Sequence, residues 1–302
     1  MKRFQGILYA IISSATFGMI PLFAIPALRS GMNTSSVLFY RMAFSVILMG
    51  ILLLTRRTNM RISRRQLFTI LGLSVFYTAS SLFLLESYLY IPSGIATTIH
   101  FLYPVFVTII MVTLFHEKLS RTMFAAVSMA VVGVWILSSG GSNGTISIPG
   151  VVMVLITVVA YGSYIVGANK SCAGSVNGLV MTFYVLFFTA CFCGLNVWLR
   201  ERSLDPIPDL HTGMNLILLG LIPTLVSNLF LILAIHKVGS TVTAVLGCME
   251  PLTAVMVGVL CLNEFIAGTQ YAGILVILFS VAMVIWARSR QAQTVVRHRT
   301  KN

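Results

Sequence analysis

The stretch SSLFLLESYLYIPS at residues 80–93 returns as SNLFLILAIHKVGS at residues 227–240, an offset of 147 positions. The same offset carries Pro104 onto Pro251 and Glu117 onto Glu264, so each half has a proline followed thirteen residues later by a glutamate. Nearer the start of each half, Phe17-Gly18 pairs with Tyr161-Gly162, and Gly6 with Gly150, at an offset of 144. A small loop difference accounts for the change of offset. A duplication of this kind within apolar runs points to a pseudo-symmetric membrane core made of two related halves.

Composition agrees. Of 302 residues, 58% are hydrophobic and 9% charged, and the mean hydropathy is +0.96, which leaves too little polar surface for a water-soluble fold. A membrane-crossing helix needs about 20 mainly apolar residues to traverse about 30 Å of hydrocarbon. Ten such spans are expected, at about 5–27, 34–54, 67–90, 93–115, 122–138, 148–168, 178–198, 214–235, 240–262 and 270–287. The runs are continuously apolar and lack the in/out alternation of a barrel strand, so the expected class is all-α and integral to the membrane. The halves divide as 1–140 and 146–288, with a basic tail at 289–302.

A net charge of +13 suggests nucleic acid as a partner until the basic residues are placed, because they fall in alternate loops. With the N-terminus inside, Lys2, Arg3, Arg56, Arg57, Arg61, Arg64, Arg65, Lys118, Arg121, Lys170, Lys237 and the tail's Arg288, Arg290, Arg297, Arg299 and Lys301 are all cytoplasmic. Only Arg29, Arg200 and Arg202 lie outside. This positive-inside bias predicts both termini in the cytoplasm of a multi-pass protein of the cell membrane, with no nucleic acid as partner. Five spans per half is an odd number, so the second repeat enters the membrane inverted. The tail is expected to be a disordered cytosolic end in reach of anionic lipid.

The N-terminal Lys-Arg and apolar run also resemble a signal peptide, but the run has a counterpart at 150–162, and a cleaved segment would not be half of a fold. It is read as the first span, kinked or ended by Pro21 and Pro26. Cys172, Cys191, Cys193, Cys248 and Cys261 show no C-x-x-C or metal spacing and imply neither disulfides nor zinc.

At these residues the chain resembles a known family. Each half is similar to the five-helix EamA domain of the drug/metabolite transporter superfamily, up to the tail. The likeness is carried by the aromatic-Gly pair of each first span, Arg41, the YIPSGIAT run from Tyr90, the Pro104-to-Glu117 block and its partner EPLTAVMVGVLCLNE from Glu250. The second half has no counterpart of Arg41, and Ser280 stands where the first half has Gly133. The resemblance implies ten helices around a central cavity, alternating access, and small metabolites, often amino acids or their derivatives, commonly exported.

The residues support a cavity on their own terms. A mid-span proline removes a helical hydrogen bond and frees carbonyls, and matching breaks at Pro104 and Pro251 in two inverted halves mark a midplane site, unless they merely curve helices for packing. Tyr103 and Glu250 precede these prolines at equivalent positions. An ionisable group at a helix centre costs roughly 2.5–3.5 kcal/mol on insertion scales, so Glu250, Glu86 and Arg41 stand out. Glu250 is expected to line the cavity and bind a substrate amino group or carry a coupling proton, or else to bond a neighbouring carbonyl. Glu86 lies nearer headgroup water, and Arg41 snorkels outward or pairs with Glu86 or a substrate carboxylate.

His100, one turn before Pro104 and on the same face, is a proton relay or a packed residue bonded to a neighbouring helix. Phe17, Tyr77, Tyr103, Tyr161 and Tyr164 either stack on a flat or apolar substrate or are simply core. Glu117 and Glu264 are expected to cap the start of the next helix, where the dipole favours an anion, or to form parts of gates. Gly94 with Thr97 and Gly239 with Thr243 fit close helix packing.

No nucleotide-binding loop, hydrolase elbow, H-E-x-x-H or clustered metal ligands occur in the sequence. The expectation is therefore a secondary transporter, not an enzyme, with no cofactor, driven by an ion or substrate gradient. Its partners are a small-molecule substrate, the lipid bilayer and a coupling proton, and ten helices close a cavity without an oligomer. A sensor or scaffold that moves no solute is the other class, and a passive facilitator or lipid-linked-sugar flippase survives within the first.

Overall fold

The computed structural model describes residues 2–116, 121–139, 147–200 and 202–299, and every regular element among them is helical. The chain opens with α1 (Lys2–Phe17) and α2 (Ile20–Arg29). The expected kink at Pro21 or Pro26 falls earlier, at Gly18-Met19. Pro21 occupies the first turn of α2, where no backbone N–H is needed, and Pro26 is carried inside that helix. Next come α3 (Thr34–Thr55), whose first turn is capped by the Asn33 side chain, and α4 (Arg64–Ser87), which starts in a capping box between Ser63 and Gln66.

The fourth span is split into α5 (Ser93–His100) and α6 (Tyr103–Thr113), followed by α7 (Arg121–Ser139). The second half begins with α8 (Ile148–Lys170) and α9 (Gly178–Arg200). It continues through α10 (Leu210–Gly220), a π-helical turn (Leu221–Val226), α11 (Ser227–Leu246), α12 (Met249–Cys261) and α13 (Gly268–Arg299). The Asp209 carboxylate caps α10 by accepting the Thr212 N–H, and that bond holds its pKa below the usual carboxylate range. The tail expected to be disordered is instead helical to Arg299, because 289–299 contains no glycine or proline to end α13.

Eight helical stretches are long and apolar enough to cross a membrane: Phe4–Arg29, Thr34–Thr55, Arg64–Ser87, Ser93–Thr113, Ile148–Lys170, Gly178–Arg200, Leu210–Ile235 and Gly268–Ala287. The fifth and ninth expected spans appear as shorter apolar helices, Arg121–Ile136 and Met249–Cys261. Large side chains such as Leu54, Trp135, Trp198 and Leu275 stand exposed along the helices. Such surface is stable against hydrocarbon rather than water.

The helical run of α11 is not one straight rod. Val238 lies beside Gly6 and Glu250 beside Gly18, two points about 18 Å apart along α1 at 1.5 Å per residue. A straight α11 would carry Leu246 a further ~12 Å beyond Gly6, too far for the few residues before Glu250 to return at ~3.5 Å each. The chain therefore reverses within 239–246, where the second half has Gly239 in place of Pro92.

Helices of the two halves pack pairwise. α1 runs antiparallel to α11, with Gly6 at Val238, Tyr9 at Phe230 and Ser13 at Ser227, and α8 runs antiparallel to α4, with Gly150 at Ile91 and Gly167 at Leu73. α3 pairs with α9, α7 with α13 and α5 with α12, each also antiparallel. The contacts repeat as the sequence does. Gly6 faces Lys237 and Val238 while Gly150 faces their equivalents Tyr90 and Ile91; Gly18 faces Thr253 while Gly162 faces its equivalent Phe106. Two large apolar clusters form the interior, one around Ile95, Ile99, Val154 and Ile277, the other around Leu38, Met42, Leu186 and Leu216.

Candidate functional site

The breaks in the fourth and ninth spans set the site. In the fourth, α5 ends at His100, the turn is Phe101-Leu102, and Tyr103 and Pro104 open α6. In the ninth, the turn is Gly247-Cys248, and Met249, Glu250 and Pro251 open α12. Each proline thus sits in the first turn of a new helix, where its missing N–H goes unneeded, rather than inside a kinked one. His100 and Pro104 therefore lie on separate helices and not on one face, as their spacing suggests. The break also gives Glu250 a helix N-terminus, whose dipole favours an anion.

Glu250 is 8% exposed, and its Oε1 is buried without a hydrogen-bond partner. Its backbone carbonyl lies against Gly18, so the α1–α2 break and the α12 start are packed together. The carboxylate is within electrostatic reach of the Tyr88, Tyr103 and Tyr161 hydroxyls.

Beside it, five of the candidate residues form one aromatic cluster. Tyr103 meets Tyr161 edge-on at 4.8 Å, His100 lies 5.3 Å from Tyr161 and 5.8 Å from Tyr103, and Tyr164 lies 5.8 Å from Tyr161 and 5.3 Å from Tyr77. These rings come from α4, α5, α6 and α8. His100 Nδ1 is 2.8 Å from the Thr157 hydroxyl on α8, which in turn donates to Val154 O, so the ring is oriented by the neighbouring helix. Phe17 packs in the second apolar cluster, which it shares with Tyr77 and Tyr88.

Arg41 is 4% exposed and does not snorkel. Its Nε donates to Thr224 Oγ1 at 3.2 Å, in the π-helical turn that Pro223 interrupts. It lies within electrostatic reach of Tyr77 and Tyr88 rather than pairing with Glu86. Glu86 is half-buried elsewhere, in a cavity of 410 Å³ lined also by Met32, Asn33, Phe83 and Arg200.

Glu264 caps a helix, but not the expected one. Both carboxylate oxygens accept the N–H of Ser93, at 3.0 and 2.9 Å, at the start of α5 in the other half. The start of α13 is capped instead by Gln270, whose Oε1 accepts the Ala267 N–H. Glu117, its repeat equivalent, lies outside the described residues.

Two participants carry no flag in the repeat. Tyr88 packs on three apolar clusters, bonds Thr97 at 3.3 Å and lies within electrostatic reach of both Arg41 and Glu250. Its repeat equivalent is Ile235, so the duplication gave no signal for it. Thr224 follows Pro223, a third mid-span proline, and that rule alone would have found it.

The sequence matches the model of the EamA-like transporter family over residues 4–139 and again over 148–286. It is similar to the uncharacterized transporter sll1319 of Synechocystis sp., at 24% identity over 65% of this chain and 59% of that protein, less than two thirds of its length. It is also similar to protein RarD of Streptomyces exfoliatus, at 24% identity over 95% of this chain and 90% of that one. A chain of known crystal structure shares the fold with a TM-score of 0.66 and 17% identity, covering 95% of this chain and 98% of that one. With two matched segments covering nearly all of an apolar, all-helical chain, the protein is a multi-pass membrane protein of a transporter rather than an enzyme family: it belongs to the EamA-like transporter family.

Proposed function

We propose that the protein is a secondary transporter that exports a small amine-bearing metabolite, such as an amino acid or a derivative, across the cytoplasmic membrane by alternating access. The observation that carries this reading is the Glu250 carboxylate, buried within electrostatic reach of Tyr103 and Tyr161 with one oxygen unpartnered. A buried acceptor without a donor is costly, and an ammonium group supplies both charge and donors. The adjoining ring faces suit a cation or a flat substituent. The same carboxylate is the group able to carry a coupling proton when the solute leaves.

The architecture proposed is ten helices in two inverted five-helix repeats, 1–140 and 146–288, with both termini cytoplasmic. Support comes from the antiparallel pairing of equivalent helices and from glycine contacts made twice over. Rocking of the halves about the Glu250 region would then expose it to each side in turn.

Mass spectrometry of the medium from cells producing the intact protein or Glu250→Gln, at matched membrane abundance, tests the reading. A solute that accumulates only with the intact chain is the expected result. Equal accumulation with both removes Glu250 from the mechanism, and accumulation with neither removes export.

A further inference from the structure

We infer that Glu264 and Ser93 form the closure on one side of the transport path, a gating contact that must open for the central site to reach that side. The inference rests on the alternating-access reading above.

The contact joins the two halves across 171 residues. The Glu264 oxygens accept the Ser93 N–H, and Oε2 also accepts the Ser93 hydroxyl at 3.0 Å. One N–H shared between the two oxygens and one hydroxyl, both charge-assisted and at a helix start, make a strong but breakable link. The chain is shaped for it. α12 ends at Cys261, Asn263 takes a left-handed conformation (φ 55°) that asparagine tolerates, and Glu264 N–H donates to Gly258 O at 2.8 Å. That turn folds the carboxylate back against Gly258, where a Cβ would collide with it.

A third element meets the same turn: the Arg29 guanidinium, at the end of α2, donates to Leu262 O at 3.2 Å. Spans one, four and nine are thereby tied at a single point. Below it α5 packs on α12 so closely that a Cβ at Gly94 would lie 2.7 Å from Val255 Cα. All eight residues of α5 are buried, Ser93 completely. The seal thus runs from Glu264 down to His100, directly over the aromatic cluster and Glu250.

The test uses a full-length chain with its five cysteines replaced and Tyr103→Cys as reporter, labelled by a membrane-impermeant thiol reagent applied separately to each face of sealed vesicles. Glu264→Gln should raise labelling from the Glu264 side by about tenfold, since charge-assisted bonds are among the stronger ones, and leave the other side unchanged. Ser93→Ala should shift the same side by less. Unchanged labelling from that side in both variants, with melting curves like the parent's, overturns the gate. An equal rise on both sides also overturns it, as general loosening. Tyr103→Cys unreactive from either side in every variant defeats the transport path itself, whereas reactivity from the opposite side alone, insensitive to both variants, defeats only the gate.

Discussion

Ser13 and Ser227 exchange hydrogen bonds across the α1–α11 contact: the Ser13 hydroxyl donates to Ser227 O at 2.8 Å and the Ser227 hydroxyl to Ser13 O at 2.9 Å. Each hydroxyl satisfies a donor that lipid would leave bare. Interhelical bonds in membranes average about 0.6 kcal/mol, so Ser13→Ala and Ser227→Ala are each expected to destabilise by about that much. Each acceptor is a backbone carbonyl that alanine keeps, so a double-mutant cycle in thermal unfolding should be additive to within about 0.5 kcal/mol, and a larger coupling would show that the two bonds do not act separately.

Gly18 admits no side chain, because a Cβ there collides with the Glu250 carbonyl and lies 2.8 Å from Thr253 Cβ. Backbone cannot yield as a side-chain tip can. Gly18→Ala is expected to cost about 1–3 kcal/mol by overpacking. Gly72→Ala, with open space around it, should be neutral or stabilise by up to about 1 kcal/mol through helix propensity. Melting temperatures in one detergent compare the two directly, and equal behaviour would contradict the packing described.

Arg41 depends on Thr224. Thr224→Val keeps the shape, removes the acceptor for the buried guanidinium and removes the hydroxyl's own bond to Leu219 O at 3.2 Å. A loss of about 1–3 kcal/mol is expected, as for other bonds to buried charge. In Arg41→Met, where no guanidinium remains, Thr224→Val should cost less. The same cost in both backgrounds would mean that the Arg41 bond contributes nothing.

Asp209 gives the fold a pH dependence with a definite sign. Its pKa is depressed in the folded state by the Thr212 N–H, so the stability it adds is fully present above the ordinary carboxylate range. That stability is lost as pH falls through the depressed value. Asp209→Asn retains an acceptor but cannot titrate, and its melting temperature should fall less between pH 6 and pH 3, taken as roughly spanning the carboxylate range. Parallel curves for the two proteins would exclude the effect.

The helical class and the positions of most spans were readable from apolar runs and one offset, because lipid imposes length and continuity on any chain that crosses it. Proximity across the halves was less accessible. Tyr77, His100, Tyr103, Tyr161 and Tyr164 could be named one by one, but only the packing of α4, α5 and α6 against α8 gathers their rings. Proline rules located the breaks to within a few residues, and Pro104 and Pro251 open new helices rather than curve one, which was the alternative the sequence left open. Glu264 was legible as a capping residue, whereas its partner depended on how the chain turns at Asn263. Arg41 gave no hint of Thr224, because a hydrogen bond between spans leaves no periodic trace.

The exchange of partners between halves also governs how the protein is made. α1 leaves the ribosome with Gly6, Ser13 and Gly18 exposed, and the residue that bonds Ser13 lies 214 positions downstream. At 5–20 residues per second, roughly 10–40 s pass before that partner is synthesised. During that interval α1 waits in the bilayer with its small-residue face open to lipid or to insertion factors. Synthesis of the final third of the chain, not insertion of the first helix, decides when quality control sees a finished molecule.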